Sequence, residues 1–483
     1  MAGIGFELKR LFKEKGVIAI LKAYGYTGAV TTGPMILGVL FLLSISYMGQ
    51  FFGLVPADRD LMVSMITYAL LASLIYSGLF SMVMTRYVAD MLYQERNGDI
   101  LPSLEGLCII MLPSGSIFFG IFLGFSGISF SLMVIEYILF VELLLVWTLM
   151  NYLTAIKDYK GIFVSYLLAA LLAIGLSYLL CRFVGVSIES LLLSACSGYG
   201  IMICMDMVLL FRYFKSSGRH HFAFLSWFDE YKDLMIISVA MDIGLFSHLV
   251  IAWFSKVGGQ VGGLFYSAPK HDIAAMFAFL TILITSINFV ASVEVHFYPK
   301  YRKYYDLFNG SGSITEIRQA EEEMMTVLDH ELAYTARRQF YMTAISLSLG
   351  LVVLTKLPLG FDALMEGYFR ILCVGYGVYA IGNVMMLILL YFIDYDGARR
   401  ASLIFAFSTT GACLLSLFID VKYYGFGFAL GSLCYCFYCW LRLRKYMSKL
   451  SYHILSTQPL MKENRQGFWG RLGESLMKRK GVS

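Results

Sequence analysis

The chain is poor in charged residues and in proline. Only 15% of its 483 residues are Asp, Glu, Lys or Arg, eight are proline, and 59% are hydrophobic. A water-soluble domain is about half apolar and a quarter charged, so its surface could not hold this excess of apolar side chains. The low proline content and the lack of a low-complexity tract argue against disorder. The composition therefore predicts a membrane-embedded protein.

Several chemical signatures are also missing. The sequence has no glycine-rich phosphate loop followed by Lys and Ser/Thr, which argues against ATP as an internal energy source, and no paired histidine motif on a helix. Almost all of the nine cysteines lie in apolar runs. The cluster of Cys434, Cys436 and Cys439 has no nearby histidine, so we interpret it as packed helix thiols. We expect no enzymatic activity, no metal, no cofactor and no nucleic-acid partner.

Long apolar runs predict an all-α polytopic protein with about twelve transmembrane helices, since one span needs about 20 mainly apolar residues. The predicted spans are Ala29 to Met48, Leu61 to Met84, Leu104 to Phe125, Ser131 to Leu153, Gly161 to Cys181, Ser190 to Phe211, Leu234 to Phe254, Ile273 to Glu294, Phe340 to Leu354, Tyr368 to Ile393, Leu403 to Ile419 and Tyr424 to Leu443. The glycine-rich run from Gly258 to Gly263 is interpreted as a flexible turn between spans seven and eight.

The distribution of basic residues predicts the orientation. With both termini in the cytoplasm, 31 of the 38 Lys and Arg residues lie in inner segments, if Arg442 at the inner end of the last span is counted with the tail, and 6 lie in outer loops. Positive residues are enriched in cytoplasmic loops, so this bias favours a multi-pass protein of the cytoplasmic membrane with both termini inside. No cleavable signal peptide is expected, because the start of the chain reads as a cationic amphipathic helix on a membrane surface.

Six predicted spans lie on each side of the loop from Arg212 to Asp233, which suggests two halves related by a pseudo-twofold axis. The predicted organisation is an amphipathic N-terminal helix over 1–23, an N-terminal six-helix bundle over 24–214, a cytoplasmic linker over 215–233, a C-terminal six-helix bundle over 234–447 with a cytoplasmic loop over 295–339, and a basic tail over 448–483. The loop is either a solvated hairpin or a docking surface for a cytoplasmic partner. The tail suits the anionic lipids of the inner leaflet.

Ionisable residues at membrane depth are the candidate functional groups, because burying such a group in lipid costs at least about 2.5–3.5 kcal/mol. They are Glu136, Glu142, Asp206, Asp242, His248, Glu294 and Arg370. Four of them have a plainer interpretation: Glu136 and Asp242 near an interface, His248 as a hydrogen-bonded helix residue, and Arg370 paired structurally with a carboxylate. The carboxylates outnumber the single Arg, which predicts an acidic cavity that would attract a cationic substrate.

Five segments make the sequence recognisable. The opening "MAGIGFELKRLF" and the following "LKAYGYTGAVTTGP" resemble the start of the Pel exopolysaccharide transporter (PelG) family. The resemblance continues in "TRYVADMLYQERNGDILPSLEG", "GGLFYSAPKHDIAAMFAFLTIL" and "VEVHFYPKYRKYYDLFNG". The order of these segments matches along essentially the whole chain, and the opening motif is long and specific.

The resemblance implies two six-helix bundles around a central cavity, as in the multidrug/oligosaccharidyl-lipid/polysaccharide flippase superfamily. It also implies export of a partly cationic polymer rich in N-acetylgalactosamine. The implied partners are a cytoplasmic glycosyltransferase and membrane subunits of a synthase complex, one of which binds cyclic-di-GMP. Where the family usually carries an Asp-Lys pair flanked by tryptophans in span seven, this chain has Leu245-Phe246-Ser247-His248-Leu249, with Trp253 kept. A mechanism based on that ion pair is therefore not expected here.

Three functions remain open at this point. The first is polysaccharide export within a synthase complex. The second is a lipid-linked saccharide flippase or a cation-coupled small-molecule antiporter of the same fold. The third is a membrane scaffold that assembles the synthase without forming the path.

Overall fold

The computed structural model describes residue 28 and residues 33–156, 159–215, 220–310, 312–356, 361–457 and 467–479. The predicted amphipathic helix over 1–23 lies outside the described residues. The architecture is helical apart from one small hairpin. The helices are α1 Gly33–Phe51, α2 Pro56–Tyr93, α3 Ile100–Phe125, α4 Phe130–Ile156, α5 Tyr159–Phe183, α6 Ile188–Tyr213, α7 Leu225–Glu230, α8 Lys232–Trp253, α9 Pro269–Leu280, α10 Leu283–Ser292, α11 Tyr298–Asn309, α12 Ile314–Ile345, α13 Leu351–Lys356, α14 Ala363–Tyr391, α15 Tyr395–Ser416, α16 Phe426–Met447, α17 Leu450–Thr457 and α18 Phe468–Arg479.

The all-α polytopic class is confirmed. Among the described residues, ten helical stretches are long and apolar enough to cross a membrane. Two further helices, α1 and α15, coincide with the first and eleventh predicted spans. The described residues of each predicted span are therefore mostly helical, although spans eight and nine each cover more than one helix. Several helices continue beyond the apolar run, and α12 begins 26 residues before the predicted ninth span, at a Ser313 cap whose hydroxyl accepts the Glu316 N–H.

One π-helical turn begins at the end of predicted span eight, and another interrupts predicted span nine. The turns cover Val293–Phe297 (π1), between α10 and α11, and Ser346–Gly350 (π2), between α12 and α13. A π-helical turn inserts an extra residue into the helical ladder and occurs often at functional sites. The sequence pattern does not reveal these turns, because an apolar run looks the same with or without one inserted residue.

The described residues fall into two compact units. One contains Leu37–Pro269 and Tyr395–Thr410, together with the chain from Arg444 onward, and is called the first unit here. The other, the second unit, contains Lys270–Asp394 and Gly411–Leu443, together with the residues before Leu37. The division of the chain into bundles over 24–214 and 234–447 stays a prediction.

The glycine-rich run after α8 forms a β-hairpin rather than a flexible turn. Strands β1 Gly259–Gly262 and β2 Phe265–Ser267 pair antiparallel. Gly263 has a φ of +56°, and the next N–H, of Leu264, donates to the Ser126 carbonyl at 2.8 Å. A Cβ at Gly263 would overlap that carbonyl. The position therefore requires glycine both for its positive φ and for this close approach. The hairpin is thus fixed to the turn after α3, which local sequence could not predict.

A strained residue follows α14 in the second unit. Ile393 has a φ of +63°, in the left-handed region where a β-branched residue is unfavourable. We predict that Ile393→Gly raises the free energy of unfolding by up to about 1 kcal/mol, because glycine adopts this conformation without steric cost. Thermal unfolding in detergent measures the change. Ile393→Val keeps the branched Cβ and should give no gain, and an equal gain from both variants would show that strain is not the cause.

The N-terminus of α14 carries a pH-sensitive contact. The carboxylate of Asp362 accepts the Met365 N–H at 2.9 Å and a hydrogen bond from Lys270. Lys270 lowers the pKa of Asp362 below its ordinary value, and the Met365 N–H adds to the shift. A lowered folded-state pKa contributes stability above the unfolded value of about 3.9, and this contribution is lost as the pH falls through the folded-state pKa.

We therefore expect Asp362→Ala to lower the free energy of unfolding at neutral pH by about 1 kcal/mol, the usual contribution of such a cap. The difference from wild type should shrink on acidification below the ordinary Asp pKa. Thermal unfolding across this pH range tests the expectation, with Asp362→Asn as the variant that keeps a capping oxygen. A difference that does not change with pH would contradict it.

Candidate translocation site

Two carboxylates lie at the centres of their helices. Glu142 is next to the middle residue of the 27-residue α4, and Asp242 is at the middle of the 22-residue α8. Helices of these lengths match the thickness of a bilayer, so both groups lie near its midplane. Both side chains keep partial exposure in the first unit. Transporters of several folds place their substrate and ion sites at this depth.

Glu142 contacts α6 at the centre of that helix. Its carboxylate has the Cys196 thiol as a hydrogen-bond partner. A Cβ added at Gly200 would lie 3.3 Å from Oε1 of Glu142. The absence of a side chain at Gly200 therefore leaves the space that the carboxylate occupies.

The carboxylate of Asp242 lies even closer to a glycine of a neighbouring helix. A Cβ added at Gly78, in α2, would lie 2.5 Å from Oδ2 of Asp242 and 3.4 Å from the Ser238 hydroxyl oxygen. Real Cβ atoms do not approach an oxygen this closely, so any larger residue at position 78 must displace the carboxylate. Both midplane carboxylates are thus accommodated by a glycine on a neighbouring helix.

The Gly78 contact gives a direct prediction. Gly78→Ala should displace the Asp242 carboxylate and lower transport about tenfold, a change equivalent to about 1.4 kcal/mol, although the negative charge remains. Gly200→Ala, with 3.3 Å of space before Glu142, should have a clearly smaller effect. Secreted polysaccharide, normalised to protein abundance, measures both. Equal secretion from the two variants would mean that the position of Asp242 is unimportant.

The side chains of Glu136 and Asp206 are fully buried in this structure. Neither carboxylate oxygen of Glu136 has a hydrogen-bond partner among the described residues, whereas Asp206 accepts a 2.6 Å hydrogen bond from the Ser165 hydroxyl of α5. A substrate could reach either group only if the helices of the first unit separated. No direct hydrogen bond joins any two of the four acidic residues within the described part of the chain.

The remaining predicted site residues have different surroundings. His248 is buried in α8 of the first unit. Arg370, in the second unit, pairs with Glu366 at 3.2 Å one turn away, and its side chain is 60% exposed. This is the structural pairing that the sequence left open for Arg370. Glu294 lies on π1, and its side chain lies outside the described part of the structure.

A polar seam within the second unit was missed by sequence reasoning. Polar side chains spaced about one turn apart on α10 and π1 meet polar side chains of α12. The pairs are Thr285 with Gln339, Asn288 with Thr335 and Arg338, and both Ser292 and His296 with Glu331. Arg338 donates to the Asn288 side-chain oxygen at 2.7 Å. The signal in the sequence is the regular spacing of Thr285, Asn288 and Ser292 within predicted span eight, which ionisable residues alone do not reveal.

Similarity to solved structures defines the class of protein. The structure described as "Crystal structure of MATE in complex with MaL6" matches with a TM-score of 0.58 at 12% identity, over 88% of this chain and 97% of that one. An inward-facing multidrug resistance MATE family transporter of the MOP superfamily gives 0.57 at 12%, over 90% and 100%. A MOP superfamily transporter from Pyrococcus furiosus gives 0.55 at 14%, over 89% and 96%. The chain is therefore an all-α polytopic membrane protein with the fold of these transporters.

The family is more specific than the fold. The family model described as "PelG: Putative exopolysaccharide Exporter (EPS-E)" matches residues 1–455. The chain therefore belongs to the PelG family of exopolysaccharide exporters, and the resemblance found in the sequence is confirmed. None of the curated proteins matches this sequence. Family and fold together indicate a multi-pass membrane transporter that exports a polysaccharide.

Proposed function

We propose that this protein moves a Pel-like, N-acetylgalactosamine-rich exopolysaccharide across the cytoplasmic membrane as part of a synthase complex. The family match over residues 1–455 carries the proposal. The proposed orientation places both termini in the cytoplasm, which follows from the distribution of Lys and Arg. In this orientation α4 runs inward and α8 runs outward, and Glu142 and Asp242 lie at about the same depth.

The midplane carboxylates support a partly cationic substrate. A positive group that enters a low-dielectric membrane loses hydration, and a nearby negative charge compensates part of this loss. Glu142 and Asp242 are both partly exposed, so they are available to a passing polymer in this state. We propose that these two groups line the path, and that Glu136 and Asp206 contribute only when the helices around them separate.

The length of the polysaccharide constrains the mechanism. A transporter of a small substrate can close fully on each side in turn, but a polymer that spans the membrane would block such closure. We propose that the protein keeps a partly open groove while the glycosyltransferase adds sugars at the cytoplasmic side. Elongation of the chain would then drive the polymer outward. A structure with polymer bound and enclosed by helices on both sides would contradict this mechanism.

The hairpin of α11 and α12 is the proposed docking surface for the glycosyltransferase. It is held together by ion pairs from Lys300 and Lys303 to Glu323, at 2.9 and 3.1 Å. It extends over residues that the sequence predicts to be cytoplasmic. Binding of cyclic-di-GMP is proposed for a separate membrane subunit of the complex.

Deletion and complementation in the native host test the proposal. A galactosamine-type lectin measures secreted polymer, and the tagged chain is used to pull down the glycosyltransferase. We expect deletion to abolish secretion, the wild-type gene to restore it, and the glycosyltransferase to copurify. Persistent secretion without a recovered partner would contradict the proposal.

The fold favours one alternative. The solved structures with this architecture include transporters described as multidrug resistance MATE proteins, which supports a cation-coupled small-molecule antiporter or a lipid-linked saccharide flippase. Neither function needs a synthase partner, so copurification of the glycosyltransferase separates them from a polymer exporter. A scaffold would also copurify but would be insensitive to substitutions at Glu142 and Asp242.

A further inference from the structure

The C-terminal helix α18 binds the short linker helix α7 within the first unit. The backbone N–H groups of Trp469 and Gly470 donate to the Asp229 carboxylate at 3.2 and 2.7 Å. A carboxylate about 240 residues away in sequence therefore satisfies two of the free N–H groups at the start of α18, and its negative charge suits the positive end of the helix dipole.

Glycines on one face of α18 allow this close approach. A Cβ at Gly467 would overlap the Asp229 carboxylate, and one at Gly473 would lie 2.8 Å from the Phe222 carbonyl oxygen. Gly470 and Gly473 are buried. The Trp469 ring also packs near Phe228, with 6.1 Å between centroids. The shape and hydrogen bonds make this a specific contact and not a chance approach of the tail.

A second face of α18 is apolar but remains exposed. Phe468 is 65% exposed, and Trp469 and Leu472 are each 37% exposed. These three residues lie within about 100° of one another around the helix, since successive residues are separated by about 100°. The glycine face is turned away from the centre of this apolar face. The helix thus has one face that contacts the linker and another, formed by Phe468, Trp469 and Leu472, that stays exposed among the described residues.

The charges of α18 indicate what covers the exposed face. The sequence of α18 contains three basic residues, Arg471, Lys478 and Arg479, and one acidic residue, Glu474. An apolar face with Phe, Trp and Leu beside basic residues is typical of a helix that lies in the interface of an anionic membrane. Trp side chains are enriched at the level of the lipid head groups, and interfacial helices carry Trp, Phe and Leu on the face that inserts there.

We propose that α18 is a membrane-interface anchor that ties the linker to anionic phospholipid. Its apolar face inserts beside the head groups, its basic residues pair with their phosphates, and Asp229 holds its glycine face to α7. The linker between the two predicted bundles is thereby held at the membrane surface. This site does not depend on which substrate crosses the membrane.

Hydrogen–deuterium exchange on the full-length protein tests the proposal. The protein is placed in nanodiscs of phosphatidylcholine alone, or of phosphatidylcholine with phosphatidylglycerol, and exchange is followed in peptides that cover Trp469–Gly473. We expect exchange at least about tenfold slower in the anionic discs, because several basic residues gain from the negative surface. The readout uses no polysaccharide, so its failure is distinguishable from failure of the proposed function.

Three variants separate the two faces of the helix. Phe468→Ser combined with Leu472→Ser should remove the dependence on anionic lipid. Asp229→Ala should speed exchange at Trp469 and Gly470 in both kinds of disc, whereas Glu230→Ala, at the neighbouring carboxylate, should not. Exchange that is equal in neutral and anionic discs would overturn the lipid assignment, and an Asp229→Ala variant with unchanged exchange would overturn the linker contact.

Discussion

The double substitution Glu142→Gln with Asp242→Asn is expected to lower polysaccharide secretion by at least about tenfold, which corresponds to about 1.4 kcal/mol. Both changes keep the shape of the side chain and remove the negative charge. A partly cationic polymer then loses its compensating charges at the midplane, where water is scarce and electrostatic effects are large. The effect should be larger than that of either single substitution.

Glu136→Gln is the matched control for this experiment. It makes the same chemical change in the same helix, but at a fully buried side chain. We expect a clearly smaller loss of secretion from this variant than from the double variant, because a substrate reaches Glu136 only when the helices around it separate. Protein abundance in the membrane is measured alongside secretion, to separate transport from folding. Wild-type secretion by the double variant at normal abundance would refute an anionic path.

Arg442→Ala is expected to lower the free energy of unfolding by about 3 kcal/mol, because removing one partner of a buried ion pair is strongly destabilising. In the second unit, Arg442 at the end of α16 donates two hydrogen bonds to the Asp394 carboxylate after α14, at 2.6 and 2.7 Å. The Asp394 side chain is only 4% exposed. Removal of the guanidinium would take away two hydrogen bonds and a positive charge from this buried carboxylate.

A double-mutant cycle with Asp394→Asn tests the cause of this loss. Because the second change removes the negative charge of the buried carboxylate, the double variant should be more stable than Arg442→Ala alone. Thermal or denaturant unfolding in detergent provides the values. An unfolding midpoint for Arg442→Ala equal to that of wild type would show that the pair contributes nothing.

The sequence predicts the spans well because each depends on one local property, a long apolar run. Contacts between residues far apart in sequence form only in the folded protein. The two closest contacts at the candidate site are of this type. Gly78 accommodates Asp242, and Gly200 accommodates Glu142, but neither glycine carries a signal that distinguishes it from the other 42 in the chain.

Depth alone also fails to show which acidic residues are accessible. Glu136 and Glu142 are six residues apart on α4, and therefore about 120° apart around the helix. One is fully buried and the other partly exposed. The sequence also does not predict the Asp229 contact with α18 or the strained φ of Ile393. Tertiary packing imposes both features, and the neighbouring residues in sequence carry no signal for either.

Polymer translocation into sealed, inverted membrane vesicles tests the central claim most directly. Vesicles that contain the other synthase subunits, with or without this chain, receive a nucleotide-activated sugar from outside, and the polymer protected from added glycosidase is measured. We expect protected polymer only when the chain is present, and much less with the Glu142→Gln and Asp242→Asn double variant. Equal amounts of protected polymer with and without the chain would contradict its role as the exporter.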